Sequence, residues 1–524
     1  MISQYPHWKV SVMPIRFVSR RYSLQFGILL SGLVFQSHPC SAESIGQWTS
    51  VIQLPSIPVA AAVLPDGRVL GWSSNDLTAF SGDVGHNPTQ TYTEFRTLSG
   101  STASVVMTDT DMFCPGTAYL PDGRILVSGG DSSPRTSIFD PSSNNWSSDA
   151  DMSVARGYHS NVMLSTGSVF TIGGSWSGGV YDDKIGEVWA PGQGWSARYG
   201  ISAQSITGPD PEDVDFIYRG DNHAWLFAAK DGRVFHAGPS AEMHWITTDG
   251  DGTVASAGNR GDDPYSMGGK AVLYDVGKIF KTGGAPAYQD AQATANTYTI
   301  DINAAAADPQ QPVVVNKTAS MQYPRAFANA VVLPTGQIFV VGGQTYAVPF
   351  SDDTAILTPE LWDPATETFA PLAPMKTPRV YHSVALLQPD GRVFVGGGGL
   401  CGDCATNHAD AEIFSPPYLF NPDGSEASRP AITSAPSTGN LGQLIYVTTD
   451  VDVTSFALMR LSTVTHTVDN DQRRVPLAIW SRQSSGNYTL SLPSDVGTAP
   501  PGYYMLFALN GQGVPSQAQM IRLQ

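Results

Sequence analysis

A chain of 524 residues is too long for one small hydrophobic core, so more than one folded unit is expected. Only 14% of its residues are charged, while 52 are Gly and 38 are Pro, which excludes helical bundles and coiled coils and suits many short strands. The net charge of −17 argues against a nucleic-acid partner, because phosphate contacts need Lys and Arg.

The first 42 residues predict a secretory signal peptide. Four basic residues precede an apolar run over residues 24–35, and Cys40-Ser41-Ala42 offers small residues for cleavage. The run is too short to span a bilayer comfortably, and no later run reaches 18 apolar residues. We therefore expect a secreted, extracellular protein with no membrane partner; an uncleaved N-terminal anchor is the alternative. Three glycosylation sequons, at Asn145, Asn316 and Asn487, agree with secretion.

A turn centred on glycine recurs seven times in residues 43–424. Each copy has an apolar pair, a turn such as Asp-Gly, several β-formers and often Gly-Gly; the turn glycines are Gly67, Gly123, Gly167, Gly232, Gly277, Gly336 and Gly391. Asp-Gly between apolar runs is a strong hairpin signal, and a period near 50 residues with Gly-Gly is typical of kelch repeats. The pattern predicts a seven-bladed β-propeller; seven unrelated hairpins in a sandwich are the alternative.

The pattern changes after residue 424. Residues 425–524 contain short alternating segments, such as 444–447 and 503–509, separated by turns and lacking the Gly-Gly mark. About a hundred residues of this kind predict an immunoglobulin-like β-sandwich. The whole chain is therefore predicted to be all-β.

Seven sequence motifs occur within these two predicted domains. They are MFCPG at 112–116, ARGYHS at 155–160, GGSWSGG at 173–179, YRGDNHAW at 218–225, RVYHS at 379–383, GGGGLCGDCATNHAD at 396–410 and THTVDNDQRR at 465–474. Together they resemble the copper radical oxidase family, and within it the galactose oxidase group, from about residue 46 to the C-terminus. That group carries an additional N-terminal carbohydrate-binding module, for which this sequence leaves no room.

The resemblance implies a site with one copper ion and a radical cofactor made from the protein. Tyr158, His382 and His466 would be equatorial ligands and Tyr381 the axial ligand. Cys114 would form a thioether with Tyr158, and Trp176 would stack over that cross-link.

The chemistry needs these residue types. Imidazole nitrogens and phenol oxygens suit Cu(II). Oxidising an alcohol removes two electrons, whereas copper stores one, so a phenol linked to sulfur would store the other. No nicotinamide or flavin is then required, and we find no convincing dinucleotide fingerprint.

Taken singly, the same residues have ordinary interpretations. The cysteine and the aromatic residues could pack in blade cores, and His466 could be a surface residue. Tyr381 and His382 are adjacent, and strand alternation would direct them to opposite faces, although both would have to reach one metal. His159, next to Tyr158, stands where the galactose enzymes have glutamine, and could change the hydrogen bonding near the ligand phenol.

Cys401 and Cys404 have Cys-x-x-Cys spacing, which in a cytosolic protein could be a redox site or half of a zinc site. A pair without further ligands cannot complete a tetrahedral zinc site. In a secreted chain a local disulfide is favoured, and the resemblance implies a disulfide here.

The resemblance also implies a substrate pocket formed by Phe80, Arg219, Tyr288, Gln289 and Phe350. The guanidinium would bind ring hydroxyls and the phenylalanines would pack against the sugar. The expected activity is oxidation of a primary alcohol, of the galactose C6 type, to the aldehyde with reduction of O2 to H2O2, and a peroxidase is a candidate activating partner. The alternatives are a glyoxal, aldehyde, aryl or aliphatic alcohol oxidase of the same family, and a non-enzymatic kelch binding protein.

Overall fold

The computed structural model describes most of the chain beyond the predicted leader. Described are residues 45–80, 110–130, 133–174, 184–207 and 221–524, with the backbone of 92–96 and 105–107. The predicted signal peptide, Trp176 and Arg219 lie outside the described residues. Within these ranges no helix has the length and hydropathy needed to cross a bilayer.

Seven antiparallel sheets in the described part of the chain form the blades of a propeller, which confirms the predicted fold class. The innermost strands, one in each blade, are β3 (Ala60–Val63), β7 (Gly116–Tyr119), β11 (Ser160–Met163), β15 (Trp225–Ala228), β19 (Lys270–Asp275), β24 (Ala326–Val332) and β29 (Ser383–Leu387). Outside the blades, β21 (Ala291–Gln292) pairs with β26 (Tyr346–Ala347). The propeller strands are β1 Gln47–Trp48, β2 Ile52–Gln53, β3 Ala60–Val63, β4 Val69–Trp72, β5 Tyr92–Arg96, β6 Val105–Met107, β7 Gly116–Tyr119, β8 Ile125–Ser128, β9 Thr136–Asp140, β10 Asn145–Asp149, β11 Ser160–Met163, β12 Val169–Ile172, β13 Gly186–Ala190, β14 Gly194–Arg198, β15 Trp225–Ala228, β16 Val234–Gly238, β17 Glu242–Thr247, β18 Thr253–Asn259, β19 Lys270–Asp275, β20 Lys278–Thr282, β21 Ala291–Gln292, β22 Thr297–Asp301, β23 Val314–Lys317, β24 Ala326–Val332, β25 Ile338–Gln344, β26 Tyr346–Ala347, β27 Glu360–Asp363, β28 Thr368–Pro371, β29 Ser383–Leu387, β30 Val393–Gly397 and β31 Asp410–Ser415.

The repeated glycine turn joins the first two strands of each blade. Its glycines have φ between 63° and 92°, a region that L side chains rarely occupy. In the first blade the Asp66 carboxylate accepts a hydrogen bond of 3.0 Å from the Arg68 backbone N–H, and Asp122 and Arg124 repeat this contact at 3.1 Å. The local turn chemistry therefore sets each hairpin, and apolar strands such as β3 and β8 are fully buried between blades.

The N-terminal strands close the ring. Gln47 of β1 pairs with Ser415, and Ile52 of β2 pairs with Ala411, so residues from the two ends of the propeller share one sheet. The last blade thereby gains its outer strands from the beginning of the chain, which covers an edge that would otherwise be exposed.

The C-terminal residues form a second β structure. Its strands follow the order β32-β34-β38-β37-β35-β39-β40-β33 and enclose a separate apolar core that includes Phe456, Leu458 and Leu506. This confirms the predicted sandwich. The remaining elements are β32 Ile432–Ser434, β33 Thr438–Gly439, β34 Leu444–Thr449, β35 Ser455–Arg460, β36 Thr463–Thr465, β37 Arg474–Ser484, β38 Asn487–Ser491, β39 Gly502–Leu509, β40 Gln519–Leu523, α1 Asn303–Ala307 and the 3-10 turns Ala203–Ser205 and Pro417–Leu419.

One hairpin of the sandwich enters the propeller channel. Strand β36 pairs with β3, the innermost strand of the first blade, with Thr465 opposite Ala60. The residues that follow bind the inner strands of other blades. Asp471 Oδ2 accepts from the Tyr119 N–H at 2.8 Å, Asn470 Oδ1 from Leu226 at 3.2 Å, and Gln472 Oε1 from Val332 at 2.5 Å. These contacts fix the hairpin (residues 463–473) by satisfying backbone donors in the channel.

Candidate metal centre

One position recurs in every blade at the mouth of the channel. It lies nine residues before the turn glycine, and its occupants in chain order are Pro58, Cys114, Tyr158, His223, Gly268, Phe327 and His382. From Cys114 onward all six have positive φ, between 55° and 67°. Non-glycine residues rarely adopt this conformation, and each costs about 1–3 kcal/mol. The fold therefore imposes the same strained bend in successive blades, and the bend brings their side chains together.

The predicted ligands converge. The Tyr158 and Tyr381 hydroxyl oxygens are 3.4 Å apart. The rings of His382 and His466 are 4.6 Å apart, and the ring of Tyr381 stacks on His382 at 3.9 Å. The ligand atoms of Cys114, His382 and His466 all lie within 4.8 Å of one another. Residues separated by as many as 352 positions thus form one cluster.

The bend at His382 explains how adjacent residues reach one site. A regular strand would point Tyr381 and His382 to opposite faces. His382 has φ 67° and precedes β29, so the alternation does not apply at this position. Both rings consequently face the cluster, and the conflict predicted from alternation is resolved by the backbone.

The two imidazoles are oriented by their Nδ1 atoms. His382 Nδ1 lies 2.5 Å from the Gly399 carbonyl oxygen and donates to it, because a carbonyl can only accept. Its Nε2 is buried and has no hydrogen-bond partner among the described residues. His466 Nδ1 lies 2.9 Å from Thr465 Oγ1, while its Nε2 lies 3.2 Å from Cys114 Sγ. Holding one ring nitrogen leaves the other to bind a metal.

Burial sets the charge of the cluster. Desolvation lowers the pKa of His382 to about 3 and lowers the pKa of His466 well below its usual value. It raises the pKa of both Tyr158 and Tyr381 well above 10. The imidazoles are therefore neutral and hold the lone pairs that a metal needs, and a cation bound beside the phenols would favour their ionisation.

The donor set fits copper. Two neutral imidazoles and two phenols supply nitrogen and oxygen ligands, and the unpartnered Nε2 of His382 supplies a lone pair that nothing in the described protein uses.

Cys114 lies beside Tyr158, as the sequence predicts. The thiol is a hydrogen-bonding neighbour of the phenol and contributes to its raised pKa, and the Tyr158 backbone N–H donates to the Cys114 carbonyl at 2.8 Å. Cys114 is buried and is not one of the two disulfide-bonded cysteines. The thiol is thus available for a covalent link to the neighbouring phenol.

His159 acts between blades rather than on the phenol. Its Nε2 accepts from the Gly116 N–H at 3.2 Å and lies 3.1 Å from Ser128 Oγ. A Cβ at Gly116 would lie 2.6 Å from this nitrogen, so the contact requires glycine. His159 therefore joins the strand that follows Cys114 to the strand that follows Tyr158.

Three predicted pocket residues adjoin the cluster. The Phe80 and Phe350 rings stack at 5.6 Å, and Phe350 contacts Tyr381 edge to face at 5.0 Å. Tyr288 Oη donates to Tyr381 Oη at 3.0 Å. Gln289 is half-buried next in sequence to Tyr288. The predicted positions of Trp176 and Arg219 lie outside the described residues.

The sequence interpretation missed His223. Its ring stacks on His466 at 4.6 Å, and its Nε2 lies 3.3 Å from Tyr288 Oη. Burial lowers its pKa to about 3. The signal that could have found it is the shared offset of nine residues from a turn glycine, which also marks Cys114, Tyr158 and His382.

The predicted disulfide between Cys401 and Cys404 is confirmed. The loop that contains it holds the segment before Phe80, since the Gly402 N–H and Asn407 Nδ2 both donate to the Thr78 carbonyl, at 2.9 and 3.0 Å. The disulfide loop therefore holds the segment that ends at Phe80.

The chain is similar to known oxidases along nearly its whole length. A family model described as galactose oxidase-like, early set domain, matches residues 429–523, and one described as glyoxal oxidase N-terminus matches residues 274–418. A galactose oxidase from Gibberella zeae is 45% identical, over 94% of this chain and 72% of the relative. An aldehyde oxidase from Vitis pseudoreticulata is 26% identical, over 79% of this chain and 82% of the relative.

A solved structure, titled as a novel fungal alcohol oxidase with catalytic diversity among the AA5 family in complex with copper, has a TM-score of 0.86 and 40% identity. The match covers 92% of this chain and 100% of that chain.

A seven-bladed propeller whose channel mouth gathers imidazoles, phenols and a thiol defines an oxidase of the copper-dependent class. The chain belongs to the galactose oxidase family. The predicted resemblance is thereby confirmed, and the alternative of a non-enzymatic kelch binding protein is set aside.

Proposed function

We propose that this protein oxidises the primary hydroxyl group at C6 of galactose, or of a related carbohydrate, to the aldehyde while O2 is reduced to H2O2. The observation that carries the proposal is the convergence of two neutral imidazoles, two phenols and one thiol at the channel mouth. Tyr158, Tyr381, His382 and His466 would hold one copper ion, and Cys114 linked to Tyr158 would form the radical cofactor.

Tyr381 is the proposed general base. Copper bound beside it would supply a Lewis acid for the alcohol oxygen and take up one of the two electrons. The Tyr381 phenolate, whose ionisation a cation bound beside it would favour, would accept the hydroxyl proton. Tyr288, at 3.0 Å, and then His223, at 3.3 Å from Tyr288, could relay that proton.

Tyr158 is the proposed hydrogen acceptor. Its phenoxyl form, stabilised by the bond to Cys114, would take one hydrogen atom from the carbinol carbon. The alcohol has then lost two electrons and two protons and has become the aldehyde, and O2 would take up the two electrons and the two protons to give H2O2. The stacked rings of Phe80, Phe113 and Phe350 border the reacting groups and would limit the access of water.

Carbohydrate preference is proposed from the pocket residues. Phe80 and Phe350 would pack against the sugar, and Arg219, Tyr288 and Gln289 would bind polar groups. The test is copper-loaded protein assayed for H2O2 with galactose, raffinose, benzyl alcohol and methylglyoxal. We expect the highest kcat/KM with the galactosides, and Arg219→Met should reduce it for these substrates alone. Arg124→Met, in an exposed turn, is the matched control. Preference for benzyl alcohol or methylglyoxal in the parent protein would contradict the proposal.

An aldehyde or simple-alcohol oxidase is the second candidate. The match of residues 274–418 to the glyoxal oxidase model and the aldehyde oxidase relative favour it. The same substrate panel separates the two candidates, because turnover of methylglyoxal in preference to galactose would assign the chain to aldehyde oxidation.

We further propose a secreted, extracellular enzyme composed of a leader (1–42), a propeller (43–424) and a sandwich (425–524) that contributes His466. A peroxidase is its proposed activating partner, and the net charge of −17 supports the absence of nucleic-acid binding. N-terminal sequencing of the exported protein tests the leader, and a first residue near 43 is expected.

A further inference from the structure

The sandwich exposes two large aromatic side chains. Among the described residues, Tyr446 and Trp480 are 73% and 70% exposed, which places both among the three most exposed large hydrophobic side chains. They lie on β34 and β37, the two neighbours of β38. Exposed aromatic side chains on neighbouring strands offer apolar surface on which a ligand can pack.

The strand register places Thr489 between them and Asn487 two residues before it on β38. On β38, Asn487 pairs with Thr448, and Thr489 pairs with Tyr446. Side chains two positions apart share a face, so Asn487 and Thr489 lie on the face of Tyr446, with Tyr446 diagonal to Asn487. On the other side of β38, Thr489 pairs with Ser481 of β37. The register shifts at this point, so Trp480 forms a β-bulge and has no partner residue on β38.

A groove connects Tyr446 with Asn487. A surface cavity of about 390 Å³ is lined by residues that include Tyr446, Thr448, Gln483, Ser484 and Asn487. None of these side chains is charged, and the neighbouring Arg482 is paired with Asp452. In a chain with a net charge of −17, a groove whose lining residues are two tyrosines, a valine and uncharged amide and hydroxyl side chains favours a neutral, hydroxyl-rich occupant.

We propose that this occupant is an N-linked glycan on Asn487, whose first sugars lie along β38 between Tyr446 and Trp480. Asn487-Tyr488-Thr489 is a glycosylation sequon, so the groove contains its own attachment point. The Asn487 amide nitrogen would bond to C1 of N-acetylglucosamine while the bond from C1 to the phosphate of a lipid diphosphate donor breaks. The displaced amide proton leaves with the lipid diphosphate.

The local contacts accept this linkage. Asn487 Nδ2 donates to Ser484 Oγ at 2.8 Å and to the Ser485 carbonyl at 3.1 Å. Glycosylation replaces one of the two amide hydrogens, so the other keeps the shorter bond. The apolar faces of the sugar rings would pack on the aromatic rings, which offer large rigid surfaces, and Gln483 and Thr448 lie within the groove to bind hydroxyls.

The proposal rests on the secretion proposed above and not on the copper chemistry. The test expresses the full chain in a secreting filamentous fungus and maps glycopeptides by mass spectrometry. We expect a glycan on Asn487 in most molecules. Copper content and H2O2 production are measured on the same samples, so that failure of the oxidase proposal is seen separately from failure at Asn487.

The proposed packing of the glycan on the Tyr446 ring is tested by a double-mutant cycle. Tyr446→Ala should lower Tm by about 2 °C in the glycosylated protein and have no such effect in the Asn487→Gln background. Asn316→Gln removes a sequon on exposed β23 and is the matched control, with no effect on the Tyr446 comparison. An unmodified Asn487, or an equal effect of Tyr446→Ala in both backgrounds, would overturn the proposal. Binding of free chitobiose to an unmodified groove would also overturn it, since the groove would then serve an external saccharide.

Discussion

The candidate site draws its residues from two regions that the chain builds differently. The blades supply Cys114, Tyr158 and His382 from one repeated position with one repeated backbone bend. The sandwich supplies His466 from a hairpin that has no equivalent in the repeats and is fixed by polar contacts to several blades. The fold therefore fixes where the repeated position lies in each blade, while the residue type at that position varies from proline to histidine. The position of His466 depends instead on contacts between the hairpin and residues far from it in sequence.

The largest effect is expected for Cys114→Ser, which tests the site residues supplied by the blades. The change removes the sulfur while leaving all four proposed ligands, so copper should still bind but turnover should fall by about a thousandfold. Copper is measured by elemental analysis and activity by a peroxide assay. Undiminished activity would show that the thiol has no part in the cofactor.

The contribution of the hairpin that contains His466 is tested by Asp471→Ala. The Tyr119 N–H would lose its acceptor inside the channel, which should cost about 1–3 kcal/mol in the free energy of unfolding. Because the same residue holds the hairpin, copper affinity should fall about tenfold, measured by competition with a chelator.

The matched control for the hairpin is Asp122→Ala, which removes an exposed turn carboxylate that caps the Arg124 N–H in a blade. It should leave copper affinity unchanged. Equal copper affinity in folded Asp471→Ala and in the parent would mean that His466 needs no support from the hairpin.

The next prediction compares the acid stability of the parent protein with that of the variant His223→Gln. His223 has a folded pKa of about 3 against about 6.5 when unfolded, so between these values only the unfolded chain takes up the proton. Stability due to this group is present above pH 6.5 and is lost as pH falls towards 3. At pH 5 the metal-free parent should lose about 2 kcal/mol more than His223→Gln, measured by urea unfolding at pH 7 and pH 5. The same pH dependence in both proteins would place the protonation elsewhere.

The smallest expected effect concerns Tyr288→Phe. The variant keeps the ring but loses the hydroxyl that links Tyr381 to His223, so kcat should fall by about threefold to tenfold with KM little changed. Tyr298→Phe, whose hydroxyl donates to Asp262 in the fifth blade, is the control. A change in KM alone would assign Tyr288 to substrate binding and not to proton transfer.

Local signals made the propeller predictable. Each hairpin is set by a short turn that contains a glycine with positive φ, and in four of the seven turns an aspartate directly precedes that glycine, so seven turns predict seven blades. Cys401 and Cys404, three residues apart, likewise form the bond that the resemblance implies.

Long-range features were not predictable from pattern. The strand Thr463–Thr465 has three residues, and its partner Ala60 lies about four hundred residues away, so no periodicity indicates that His466 enters the channel. Alternation likewise misleads at Tyr381 and His382, because the positive φ of His382 is imposed by packing at the channel mouth. His223 stands in no position that the resemblance assigns to the site, and only its offset of nine residues from a turn glycine relates it to Cys114, Tyr158 and His382.

The most direct test of the central claim is the mass of the peptides that contain Cys114 and Tyr158. After exposure to copper and oxygen, the account predicts that these two peptides remain joined without reducible disulfide, with a combined mass lower by about 2 Da than that of the separate peptides. In Cys114→Ser they should separate. Two separate, unmodified peptides from a copper-loaded and active enzyme would contradict the proposed cofactor.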